Sequence, residues 1–136
     1  MRNEFIVVFG ILCIASAAKA FVVMPNEIML YSVHNGLRMG FSEKGHPEDT
    51  GPIMRIIREM GTNGTATSQY TAIDAMDALH YCQAFTYLAT NAVWEKIKED
   101  VTNDDPMEYA VALTGVWAMG QMVVAGCSAY ALKVFQ

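Results

Sequence analysis

From Tyr109 to Leu132 the chain runs for 24 residues without a charge, YAVALTGVWAMGQMVVAGCSAYAL. Asp104, Asp105 and Glu108 mark one end and Lys133 the other. A helix of that length measures about 36 Å at 1.5 Å per residue, enough to cross a hydrocarbon core of about 30 Å. The pattern therefore predicts a transmembrane helix over 109–132. A buried core helix is the alternative, because the segment is rich in alanine and glycine. Within it Ala110, Thr114, Ala118, Gln121, Ala125 and Ala129 recur at intervals of three or four, which puts them on one face. Helices in lipid associate through close backbone approach and small side chains, so this stripe is expected to be a helix-packing surface.

Two further apolar stretches follow different patterns. At the start, Phe5 to Ala18 is apolar and Ala18-Lys19-Ala20 fits a small-residue cleavage site. Cleavage after Ala20 would make Met1–Ala20 a secretory signal peptide. If retained, residues 5–24 would form a spanning helix, with Lys19 extending its ammonium to the interface. Glu4 cancels Arg2, so the start is only weakly basic, which favours retention. Later, a long helix is expected over 71–100, apolar nearly all round between Ala78 and Trp94, as suits a helix inside a bundle or a membrane. Its Thr, Gln and Asn residues favour a place among other helices over one facing lipid.

Between these stretches the patterns are shorter. Asn26 can cap a helix beginning at Glu27. LYSVHNGLRMGF, Leu30 to Phe41, supports two readings. His34-Asn35-Gly36 between alternating apolar residues is a hairpin signal. Leu30, Val33, Leu37 and Phe41, however, share a helical face. With no second pair of alternating runs to join, a helix ending or kinking near Asn35-Gly36 is preferred. Ser42 to Pro52 is a polar loop, and Ile53, Ile56, Ile57 and Met60 then form one face of a short amphipathic helix ended by Gly61. That helix could lie at a membrane interface, on a partner, or in a core. A glycosylation sequon stands at Asn63-Gly64-Thr65.

Composition sharpens the class. Of 136 residues 53% are hydrophobic and 17% charged, below the roughly 25% usual in soluble domains. Mean hydropathy is +0.22, net charge −5 and pI about 5.0. The acidic balance excludes nucleic acid as a partner, since phosphates require a basic face.

Chemistry-bearing residues are sparse. Asp74, Asp77 and His80 form a slanted helical ridge that could bind a metal or relay a proton, but acids near a helix start are also favoured by its dipole. Cys13, Cys82 and Cys127 are isolated in apolar segments and read as small buried hydrophobes. No phosphate loop, dinucleotide fingerprint or nucleophile elbow is present.

Tyr31, Asn35, Gly36, Leu37 and Arg38, followed by Ser42-Glu43-Lys44-Gly45, resemble a segment of the cytochrome b-type membrane anchor subunit of succinate dehydrogenase. The resemblance spans Tyr31–Gly45. In that family a haem-ligating histidine stands three residues before the asparagine. Here Ser32 holds that place, His34 lies about 200° round a helix from it, and Met39 follows the arginine. The resemblance implies haem or quinone contact, for which His34, Arg38 and His80 are the available side chains.

Together these readings predict an all-α integral membrane protein with two or three transmembrane helices plus short amphipathic helices. Its expected role is a small structural subunit of a larger membrane complex, respiratory or otherwise energy-transducing, without independent catalytic activity. Other transmembrane subunits and lipids would be its partners, and the mitochondrial inner membrane its compartment. The alternatives are a haem- or quinone-contacting anchor subunit and a secreted or type I membrane protein cleaved after Ala20.

Overall fold

A computed structural model describes residues 22–62, 70–101 and 105–136. Within them the chain is mostly helical, with four α-helices and two short strands. β1 (Val22–Met24) leads into α1 (Glu27–Glu43); a 3-10 turn, Pro47–Asp49, precedes α2 (Thr50–Thr62). β2 (Tyr70–Ala72), α3 (Ala75–Ile97) and α4 (Pro106–Val134) complete the order. β1 and β2 pair antiparallel, Val22 opposite Ala72 and Met24 opposite Tyr70. The apolar run near the start therefore ends in a strand at Val22–Met24, so a helix extending to residue 24 is corrected. The segment 1–21, with its cleavage site, lies outside the described residues, as does the sequon at Asn63.

α1 forms without a break at Asn35-Gly36, which removes the hairpin. Asn26 caps it by accepting from the Met29 N–H at 2.8 Å. Met29, Val33, Leu37 and Phe41 turn their common face into the core. The helix stops where Gly45 adopts φ 81°, a left-handed conformation that glycine takes without Cβ strain, while the His46 N–H bonds the Phe41 carbonyl at 2.7 Å. α2 buries Met54, Ile57 and Met60 and exposes Arg55, Arg58 and Glu59. Arg58 reaches Glu27 of α1 at 3.1 Å.

α4 is the organising element. It packs extensively against both α1 and α3. Glycines permit the approach: a Cβ on Gly36 would sit 2.7 Å from the Met122 carbonyl oxygen, and one on Gly126 would sit 2.6 Å from that of Ser32. Gly120 similarly admits the Thr90 methyl, which a Cβ would meet at 2.7 Å. Asp105 caps α4 by accepting from Met107 and Glu108.

α4 is the one helix among the described residues long and apolar enough to cross a membrane, so they contain one candidate span. α3, expected over 71–100, starts later because Tyr70–Ala72 is strand, and its polar residues keep it below the hydropathy of a span. Of the most apolar window of α4, 39% is buried against the rest of the chain.

Candidate functional site

Val116, Met119, Gly120, Met122, Val123, Gly126, Cys127, Tyr130 and Ala131 form the inward side of α4. Its outward side carries the predicted small-residue stripe. Ala110, Thr114, Gln121, Ala125 and Ala129 are exposed and Ala118 is half-buried. The stripe thus lies mostly outside the closest α1–α4 and α3–α4 contacts, which use the glycine-bearing face, although Ala118, Gln121 and Ala125 border α1. Larger apolar groups extend it, with Trp117 68% and Val111 64% exposed. Thr114 donates to the Ala110 carbonyl at 2.8 Å, so its hydroxyl is satisfied within the helix.

Two hollows flank this face. One, of about 550 Å³, lies between α1 and α4, with Gly36 and Gly40 on one wall and Ala118, Gln121 and Ala125 on the other; Glu43 and Lys44 stand at its end. Small residues on both helices leave this groove open, and half of the stripe lines it. The second, of about 370 Å³, is walled by Phe41, Ile53, Ile56, Val93 and Met119.

The sulfurs of Cys82 and Cys127 are joined, which corrects their reading as isolated small hydrophobes. The bond links α3 to α4 across 45 residues, with Cα atoms 5.6 Å apart and both cysteines fully buried. Their separation obscured the pairing in the sequence, because no local motif marks a bond between two helices. In hindsight both lie on apolar helical faces, but faces alone do not select a partner.

The candidate cofactor contacts lie on two helices. His34 is half-buried and Arg38 exposed, one turn apart on α1, while His80 is exposed on α3. None of the three makes a hydrogen bond or ion pair among the described residues. Ser32, at the place of the family's haem ligand, donates to the Gly126 carbonyl at 2.7 Å and so serves the α1–α4 contact. The acidic ridge also has local work: Asp74 caps α3 by accepting from the Asp77 N–H at 2.7 Å. Asp77 accepts from the Tyr70 hydroxyl and from the Ile73 N–H at 3.1 Å. Its carboxylate raises the Tyr70 pKa, and burial raises that of Tyr81. These contacts tie the start of α3 to β2.

His46, Glu48 and Asp49 offer one donor each within 4.8 Å of one another. All three are exposed, and His46 and Glu48 already pair at 3.4 Å. A hydrogen bond from the Glu48 backbone N–H, then His46, lowers the Glu48 pKa. The arrangement is that of an exposed turn in which side chains contact one another.

Comparison with known proteins finds no matching family model, no matching curated protein and no matching solved structure.

Proposed function

We propose that this chain is an exported, disulfide-stapled helical bundle that acts by binding a partner protein, with Met1–Ala20 removed as a signal peptide. The observation that carries the reading is the buried Cys82–Cys127 bond. Disulfides persist in secretory and periplasmic compartments and are reduced in the cytosol. The Ala18-Lys19-Ala20 cleavage pattern agrees with export. Binding as the mode of action is supported by the uncharged outer side of α4, which a solvated surface helix would ordinarily furnish with charges.

Expression from Met1 in a host competent for export tests this. The expected product begins at Phe21, has no free thiol, lacks the two hydrogens given up on forming one disulfide, and stays in solution without detergent. A product that retains Met1 and remains in carbonate-washed membranes would overturn it.

A second reading, a small accessory subunit of a membrane complex, is favoured by the length and lack of charge of α4. It requires the lipid or partner helices to cover the Ala110–Ala129 stripe, and the same fractionation separates the two. A haem or quinone role for His34, Arg38 or His80 within such a complex would appear as a cofactor spectrum lost in His34→Ala or His80→Ala.

A further inference from the structure

The turn between α1 and α2 gathers metal-type donors that the partner-binding reading does not use. His46, Glu48 and Asp49 each offer one, an imidazole nitrogen and two carboxylate oxygens, and these atoms lie within 4.8 Å of one another. His46 Nδ1 and Glu48 Oε1 are 3.4 Å apart. Two ligands of a tetrahedral ion with bonds of about 2.0–2.1 Å stand about 3.3–3.4 Å from each other, so this pair already has the spacing of one edge of a zinc tetrahedron. Bringing the Asp49 oxygen to the same spacing closes at most the difference between 4.8 and 3.4 Å. Exposed side chains cover that distance by rotation about their χ angles.

The backbone holds the donors in register. The His46 N–H bonds the Phe41 carbonyl, the Asp49 N–H bonds the His46 carbonyl at 3.1 Å, and the Thr50 N–H bonds the Pro47 carbonyl. Pro47 fixes φ between the first two donors. A donor set carried on a pinned backbone loses little conformational entropy on closing round an ion.

Two further observations point to a cation. Across Glu43–Asp49 three carboxylates stand against one ammonium, that of Lys44, counting His46 as neutral. Thr50, directly after Asp49, is only 6% exposed, and its hydroxyl makes no hydrogen bond among the described residues. Buried polar atoms are nearly always paired, so a buried hydroxyl without a protein partner beside a donor cluster points to a water or an ion as its partner.

We propose that His46, Glu48 and Asp49 bind one zinc ion at the entry to α2, with water completing its coordination. The imidazole selects zinc over magnesium or calcium, which take oxygen donors. All three side chains are exposed, which gives the ion a path to them.

The test titrates zinc chloride into the purified, disulfide-bonded chain, free of any affinity tag, and follows binding by calorimetry and by imidazole chemical shifts. One equivalent is expected to bind, moving the His46 resonances and leaving those of His34 and His80 in place. Loss of even an outer-shell partner costs a metal site roughly 10–100-fold in affinity, so His46→Ala should weaken binding by at least about tenfold. Glu48→Gln and Asp49→Asn should each weaken it by about tenfold. Zinc should raise the thermal midpoint of the parent chain and not that of His46→Ala. Without zinc the two midpoints should be equal, which shows that the variant folds.

Absence of any shift at His46 in millimolar zinc would overturn the proposal. Binding kept by His46→Ala and lost in His80→Ala would move the ion to α3 and overturn it as well. Calcium binding tighter than zinc, and indifferent to His46→Ala, would leave the carboxylates alone as ligands and overturn the part given to the histidine. None of these outcomes bears on export or partner binding, which the fractionation decides.

Discussion

Glycines at the α1–α4 contact and on the outer side of α4 occupy opposite situations. Gly36 and Gly126 face backbone that cannot yield, with Cβ positions 2.7 and 2.6 Å from carbonyl oxygens. Gly36→Ala or Gly126→Ala must push the helices apart, and a loss of about 1–3 kcal/mol is expected from overpacking. Thermal unfolding of the single variants checks this. Gly115→Ala meets open space and should instead stabilise the helix by up to about 1 kcal/mol through its higher helix propensity. Equal effects at the three positions would contradict the packing described. Tyrosine ionisation provides a second residue-level test. Tyr70 and Tyr81 both have raised pKa values, so the folded chain holds their protons more tightly than the unfolded chain does. Their contribution is complete below the unfolded tyrosine pKa of about 10 and is lost as pH rises through the folded values. Denaturant midpoints should therefore fall above about pH 10, and Tyr70→Phe with Tyr81→Phe should flatten that decline.

At the scale of elements, α3 and α4 are joined by three different means. Gly120 allows close approach to Thr90, Trp94 meets Tyr109 edge to face at 5.3 Å, and the disulfide joins Cys82 to Cys127. Closing a loop across a separation of 45 residues restricts the unfolded chain by about 4 kcal/mol in the chain-entropy treatment. Cys82→Ser with Cys127→Ser should lower stability by roughly 2–5 kcal/mol, measured by denaturant unfolding without reductant. Reductant should produce a comparable loss in the unsubstituted chain and none in the double variant. The helix caps act locally. Asp74→Ala and Asp105→Ala each remove acceptors from the first turn of a helix and are expected to cost about 0.5–2 kcal/mol.

For the whole molecule, thiol accounting links covalent structure to destination. The chain contains three cysteines, and Cys13 alone lies within the proposed signal peptide. With Cys82 and Cys127 joined, a mature chain beginning at Phe21 has no thiol to titrate under denaturing, non-reducing conditions. A chain retaining Met1 has that of Cys13. Titration with a thiol reagent thus reports cleavage independently of mass. The distribution of charge follows the same large-scale organisation. Charged residues gather at the helix ends and on α1 and α2, while α3 between Ala78 and Trp94 and α4 between Tyr109 and Leu132 have none. The bundle therefore combines an uncharged helical pair with charges of both signs at the helix ends.

The sequence by itself determined helical character, the cap at Asn26, the apolar face Val33–Leu37–Phe41, the amphipathic pattern of Ile53 to Met60 and the existence of a long uncharged helix after Glu108. These are local properties, set by periodicity and by neighbours within a turn or two. The strand pair escaped notice because three-residue strands carry too little periodicity, and their pairing joins segments far apart in the chain. The sequence also placed Ala110 to Ala129 on one face but could not say whether that face met this chain or something else. Tertiary structure decided it: the glycine-bearing face packs closely on α1 and α3, while the stripe is largely exposed, with Ala118, Gln121 and Ala125 bordering the α1 groove. It likewise brought Cys82 to Cys127. Spacing along one helix dictates which residues share a face, whereas contact between helices depends on how closely their backbones can approach, and here glycines at the crossings set that approach.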